Sequence, residues 1–209
     1  MANGGEWTEH LSWWFIRKEA CTAPENRNDA GFGTEAESLL KTFAHVDGAE
    51  DCYGAALLSP SGEYVDAVAV EGTDPWSIFA RQDAYTAKYI DPEGFAIDFQ
   101  VDETKSLIDA SNGVTTSGGL YLAGERYRIC KCQEQKVFSR QSEETLSRSV
   151  KLTLACGKGK GMYIAKTAGM TVVALWKGDS DINGGNCRYY LYKFLQQMLV
   201  DGYIDSLNG

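Results

Sequence analysis

The residues able to act as nucleophiles, bases or metal ligands are few and scattered. The chain has two histidines, His10 and His45. A serine or cysteine nucleophile would have to take its base from one of them. His10 sits in an aromatic run, EWTEHLSWWFIRKE, and His45 falls between a helical pattern and a loop. Neither makes a catalytic pair. The six cysteines are Cys21, Cys52, Cys130, Cys132, Cys156 and Cys187. They contain no C-x-x-C pair, which argues against zinc. Cys130 and Cys132 are the one close pair, and strand alternation predicts a shared face for them. The carboxylates fall mostly in acidic loops and read as solvated surface. We therefore expect no enzyme, no cofactor and no metal.

The run GKGKG at 157–161 invites a phosphate-loop reading. Such a loop needs Gly-Lys-Ser/Thr opening a helix. Here Lys166-Thr167 lies at the end of a strand pattern instead. A dinucleotide fingerprint also fails, because the third glycine comes too early and no βαβ unit follows.

Charge carries more information. The net charge of −9 is unevenly spread. Residues 1–125 hold 7 Lys+Arg against 22 Asp+Glu, a balance of −15, and residues 126–209 hold 13 against 7, a balance of +6. A chain polarised in this way can offer a basic face to an acidic partner and stay acidic overall. We expect no nucleic-acid partner. No apolar run reaches the roughly 18–20 residues of a membrane helix. The opening MANGGEWTEH lacks a basic segment followed by an apolar one, so no secretory signal is expected. Scattered thiols then fit a reducing cytosol.

The elements that must position these groups follow from hydrophobic period. Trp7, Leu11 and Trp14 predict a helix over 6–19, and Leu39, Leu40 and Phe43 predict another over 36–46, with a polar loop between. From Tyr53 the period shortens to two. YGAALLSP and EYVDAVAV flank Pro60-Ser61-Gly62 as a hairpin. Residues 72–101 are aromatic and irregular and read as a short helix and an ordered loop. Asp102 is the expected N-cap of a helix through Ala110, ended by Asn112-Gly113. GLYLAG and ERYRICKCQ turn tightly at Gly124, and QKVFSR, KLTLA, GMYIAKT and MTVVALWK complete the strands. Gln141 to Ser149 reads as a polar loop insertion. The pattern predicts an α+β fold, a central antiparallel sheet of about six to eight strands flanked by helices.

The closing helix is expected over Asn186–Asp201. Leu191, Phe194, Leu195, Met198 and Leu199 form one apolar stripe, and Gly202 suits the position just past the end. The opposite face carries Arg188, Tyr189, Tyr192, Lys193 and Gln196. Tyrosine and arginine together on an exposed helix face suit a protein interface.

Three stretches, GLYLAGERYRIC, GKGKGMYIAKTAGMTVVALWK and GGNCRYYLYKFLQQMLVDGY, resemble in order and spacing the C-terminal part of profilins, small actin-monomer-binding proteins. EWTEH and AALLSPSGEYVDA are weaker matches to that family's first helix and first hairpin. The resemblance implies a single domain over 1–209, with N- and C-terminal helices on one face of the sheet and insertions near 20–50, 72–100 and 139–150. It implies an actin face at Arg126, Lys131, Lys158, Lys160, Gly184, Gly185, Arg188, Tyr189, Tyr192 and Lys193. Arg188 and Lys193 depart from the family's usual residues there. It also implies an aromatic groove for proline-rich partners such as formins at Trp7, His10, Trp14, Tyr64 and Tyr203, although the family's hairpin tryptophan is missing. A polyproline II helix would use such rings for stacking and hydrogen bonding. Phosphoinositide headgroups are a third implied ligand, met by Lys151, Lys158 and Lys160. The implied location is the cytoplasm and cytoskeleton. An alternative reading is a non-enzymatic scaffold or trafficking module of longin-like or roadblock-like shape, which would pair with another such domain. An enzyme with a small-ligand pocket lined by the aromatics of 76–99 is a third.

Overall fold

Alternating apolar residues build the sheet and decide what lies on each of its faces. In the computed structural model the described residues are 52–69, 73–79, 84–91, 93–115, 118–141, 144–178, 181–200, 202 and 204. The strands are β1 (Gly54–Leu58), β2 (Tyr64–Ala69), β3 (Tyr85–Ile90), β4 (Ala96–Val101), β5 (Leu120–Leu122), β6 (Glu125–Gln141), β7 (Glu144–Gly157), β8 (Lys160–Lys166) and β9 (Thr171–Lys177). The helices are α1 (Pro75–Phe79), α2 (Glu103–Ser111) and α3 (Asp181–Val200). Seven strands form one sheet in the order β2-β1-β9-β8-β7-β6-β5, and β3 pairs with β4 in a separate hairpin. All the strand pairs are antiparallel. The fold is α+β.

The sheet separates two cores. Leu57, Leu152, Ala165, Val172, Ala174 and Trp176 meet the stripe of α3, namely Leu191, Phe194, Leu195, Met198 and Leu199. Ala56, Leu58, Met162, Ile164, Val173 and Leu175 face the other way, onto Phe79 of α1 and Leu107 and Ala110 of α2. Burial on both faces explains why β9 reads as a continuous apolar run. Trp176 fixes how closely α3 approaches. Its ring centroid lies 5.0 Å from that of Tyr163. A Cβ at Gly184 would come within 3.2 Å of the indole, and one at Gly161 would collide with it. Gly161 leaves room for the ring, and Gly184 lets the helix start lie close over it, where a side chain would press on the indole.

On the other face the tie is a buried carboxylate. Glu103, at the start of α2, is 1% exposed. Its Oε2 accepts from the Ala123 amide at 2.9 Å, and its Oε1 accepts from Gly124 at 2.6 Å and from the Tyr85 hydroxyl at 3.0 Å. Ala123 (φ 52°) and Gly124 (φ 76°) are the two-residue turn between β5 and β6. Positive φ at both positions is what a type I′ hairpin demands. Glu103 thus holds the turn amides that the hairpin itself leaves unpaired, and anchors β3 through Tyr85. Burial and the Glu103 carboxylate both push the Tyr85 phenol above its ordinary range.

Several expectations hold. Asp102 caps α2, accepting from the Lys105 amide at 2.8 Å. Gly113, Gly124 and Gly202 have positive φ where turns or a helix end were expected, and Gly62 closes the first hairpin. Others are corrected. Residues 144–149 continue β7, because Leu146, Val150 and Leu152 keep the period of two toward α3 despite their polar neighbours. Residues 85–90 and 96–101 form the β3–β4 hairpin, and beside its turn the Asp91 carboxylate accepts from the Phe95 amide at 2.7 Å. Helix α3 starts at Asp181, so Gly184 and Gly185 lie inside it rather than before it. A bulge between Ile129 and Lys131 separates Cys130 from Cys132. Cys132 packs toward Gly113 at the end of α2, while Cys130 neighbours Cys156 on the other side. The expected helices over 6–19 and 36–46 lie outside the described residues.

Replacing Glu103 with Gln presents an amide N–H to backbone donors, and we expect a loss of about 2–4 kcal/mol, read as a lower urea midpoint. Tyr127 is buried, and burial followed by the nearby Tyr53 raises its phenol to about 12. Its folded value lies above its unfolded one, so its stabilisation is complete below pH 10 and is lost as pH rises from 10 to 12. Urea midpoints at pH 8 and pH 11 should differ less in Tyr127→Phe than in the wild type, by about 1 kcal/mol.

Candidate functional site

Helix α3 lies beside β6, and its outward row reaches over that strand's edge. Arg188, Tyr192 and Gln196 stand one turn apart and share one side of the helix. The Arg188 guanidinium donates to Gln135 Oε1 at 3.1 Å. The Tyr192 hydroxyl accepts from the Phe138 amide at 3.3 Å, and Gln196 Nε2 donates to the Phe138 carbonyl at 2.5 Å. The row both presents a surface and braces the strand. Tyr192 is half-buried and packs against the α3 core, so it is a brace with only part of its ring outward.

Four of the expected residues stand on this side of the sheet, in two separate pairs. Arg188 and Lys131 are exposed and border one small cavity of about 60 Å³, with Gln133, Leu152, Leu154 and Tyr163. Lys131 stands opposite Leu154, on the α3 side of the sheet. Tyr189 is half-buried, and the Lys193 ammonium lies 5.6 Å from its ring centroid. An ammonium over a phenol ring is a favourable contact that also pre-orders both side chains. Burial raises the Tyr163 phenol, and the nearby Arg188 pulls it partly back. The Cys156 thiol is pushed up to about 11 by burial and by the Cys130 thiol beside it, which suits an unreactive group.

The other expected cations are placed elsewhere. Arg126 donates its Nε to the Gly118 carbonyl at 2.6 Å and sits 5.5 Å from the Tyr89 ring centroid, so it serves the β3–β4 hairpin. Lys160 is half-buried, paired with Glu125 and near the Tyr127 ring. Burial and the charge of Lys177 lower its affinity for a proton. Lys158 is exposed in the β7–β8 turn. Lys151 is six residues from that turn, roughly 20 Å along the strand. It donates to the Asn112 carbonyl at 3.0 Å, while Lys166 opposite donates to the Asn112 side-chain oxygen at 2.5 Å. Lys151 therefore does not join Lys158 and Lys160 in one anion patch. Gly184 is buried under Trp176, and Gly185 is exposed.

Of the aromatic set, Tyr64 packs on the α1–α2 side of the sheet, across from α3. Its ring meets Trp76 at 5.8 Å and Phe79 at 6.0 Å. Trp7, His10, Trp14 and Tyr203 lie outside the described residues. Sequence reasoning missed Gln135 as the partner of Arg188, and it placed Gln196 on the outward helix face without its bond to Phe138. The four-residue spacing of Arg188, Tyr192 and Gln196 was the available signal. Trp76, 46% exposed, was also missed as the neighbour of Tyr64.

No family model matches the chain, and no curated protein matches it. Among solved structures it is similar to profilins. Acanthamoeba castellanii profilin IA matches with a TM-score of 0.41 at 14% identity, over 73% of this chain and 88% of that one. Profilin II of the same organism matches with a TM-score of 0.42 at 16% identity over the same shares. Mouse profilin IIa, in complex with a double repeat from the FH1 domain of mDia1, matches with a TM-score of 0.36 at 14% identity, over 79% of this chain and 97% of that one. Among the described residues no helix is long and apolar enough to cross a membrane.

The brace is open to direct measurement. In Tyr192→Phe the Phe138 amide loses its acceptor, and its hydrogen exchange should quicken by about tenfold, while stability falls by only about 0.5–1.5 kcal/mol.

Proposed function

We propose that this chain is a non-catalytic, profilin-type protein that binds monomeric actin and regulates its polymerisation in the cytoplasm and cytoskeleton. One observation carries the reading. Lys131, Arg188, Tyr189 and Lys193 stand on β6 and α3 on one side of the sheet, and the two most exposed cations border a single cavity. This is the surface that the sequence resemblance assigns to actin, and its cations suit an acidic partner. An interface of roughly 1,600 Å² would be sufficient, with the tyrosine and arginine as central anchors. Lys158 extends the surface. Arg126 and Lys160 act through the strands they hold.

Proline-rich segments are the second proposed ligand, taken by Trp7, His10, Trp14 and Tyr203. Tyr64 lies across the sheet from α3 and pairs with Trp76 in a separate aromatic patch. Lys158 and Lys160 remain the proposed contacts for an anionic headgroup.

The deciding experiment is a titration of fluorescently labelled monomeric actin. The wild type should bind and slow spontaneous polymerisation. The double variant Tyr189→Ala/Lys193→Glu should bind at least about tenfold more weakly while still melting in one cooperative transition. A wild type with no effect on actin at large excess removes the reading.

A further inference from the structure

Among the described residues strand β6 has an open edge. Its neighbour β5 pairs with it only from Glu125 to Tyr127, whereas β7 pairs along nearly its whole length. Beyond Tyr127 the outer side of β6 has no strand neighbour among the described residues. At Phe138 that side is closed by Tyr192 and Gln196. Those two bonds also fix the direction of the backbone. The N–H and C=O of Phe138 point away from β7, and the register runs without a shift from Lys131 to Gln141. In an antiparallel ladder every second residue points the same way. The N–H and C=O of Cys132, Glu134 and Lys136 therefore also point outward. All three residues are exposed. The open stretch is a five-residue template bounded by the bulge at one end and the α3 brace at the other.

Charge selects the occupant. Lys131 and Arg188 stand on the α3 side of this stretch, and Arg128 and Lys136 stand at its ends; all four are exposed. Glu134 is the one acidic side chain on the stretch. A second copy fits poorly. A two-fold axis at Glu134 would set that carboxylate against itself, and an axis at Gln135 would bring together the two Arg188 groups that bond to it. Cations along an edge discourage self-pairing and attract a strand that carries carboxylates. Side chains of an added strand alternate between faces. Those on the α3 side would stand beside Lys131, Gln133 and Gln135, next to the cavity of about 60 Å³ that Lys131 and Arg188 border.

We propose that the β6 edge at Cys132–Lys136 takes an extended acidic segment of a partner protein as an added strand. Main-chain hydrogen bonds supply the affinity and the cations supply the selection. The interaction goes beyond actin binding and shares Lys131 and Arg188 with it, so the two ligands compete.

The test needs no actin. The probe is a fluorescein-labelled heptapeptide alternating glutamate and valine, with a control in which each valine is N-methylated and a second in which lysine replaces glutamate. Wild-type protein should bind the first probe at least about tenfold more tightly than either control. Glu134→Pro removes an outward amide and leaves the β7 ladder whole, so it should weaken binding about tenfold, while Glu134→Gln should not. Lys131→Glu/Lys136→Glu should abolish binding. If Glu134→Pro fails to fold, the N-methylated probe decides the same point on the wild type. Equal binding of the N-methylated probe, equal binding of the lysine probe, or no binding of the first overturns the proposal. So does a wild-type dimer in sedimentation that Lys131→Glu/Lys136→Glu disperses.

Discussion

The fit of one indole between two glycines decides where the surface of this molecule lies. Trp176 is a large ring on a central strand; Gly161 offers no side chain to collide with it, and Gly184 lets α3 cross it closely. Once that distance is set, the apolar stripe of α3 closes the core, and the rows of the helix can point in only one way. Arg188, Tyr192 and Gln196 then fall over β6, while Tyr189 and Lys193 fall to the flank. A side chain at Gly184 would press on the indole, so the ring or the helix start would have to shift slightly. Packing deep in the fold thus sets the geometry of groups that packing alone would leave free.

The second face obeys a different constraint. Its critical contact is polar, and it joins segments far apart in sequence: the start of α2, the β5–β6 turn and β3. A buried carboxylate is costly unless its oxygens are filled, and here three donors fill them. The sheet is consequently held by shape on one side and by hydrogen bonding on the other. The β3–β4 hairpin belongs to the polar side, with Tyr85, Phe99 and Tyr121 in ring contact. It keeps Ile90, Phe95 and Ile97 exposed.

How far all this could be read in the sequence depends on range. Asp102, Gly113, Gly124 and Gly202 announce local events, and local chemistry is enough to place them. The stripe of α3 is equally plain. The β3–β4 hairpin was hidden because little of it is buried: β3 alternates only between half-buried and exposed residues, and β4 is exposed along most of its length, with the apolar Ile90 and Ile97 outward. The far end of β7 was hidden because Ser147, Arg148 and Ser149 mask the leucine and valine that keep its period. The bulge at Cys130 leaves no signature in residue type, so the two nearby thiols read as one face and stand on two. Among the candidate binding residues, the pairs Lys131 and Arg188, and Tyr189 and Lys193, were legible as charge and aromaticity. The engagement of Arg126 and Lys160 within the fold was not, since it depends on partners at Gly118, Tyr89 and Glu125 that only the tertiary fold supplies.

Lys151 and Lys166 face each other across β7 and β8, an arrangement that by itself drives strands apart. Both reach the end of α2, where unpaired carbonyls gather partial negative charge. Burial and the charge of Lys151 lower the affinity of Lys166 for its proton. The last turn of that helix consequently behaves as a built-in counterion. Unwinding it would expose two ammonium groups to mutual repulsion, so fraying of a short surface helix would be felt as tension within the central sheet.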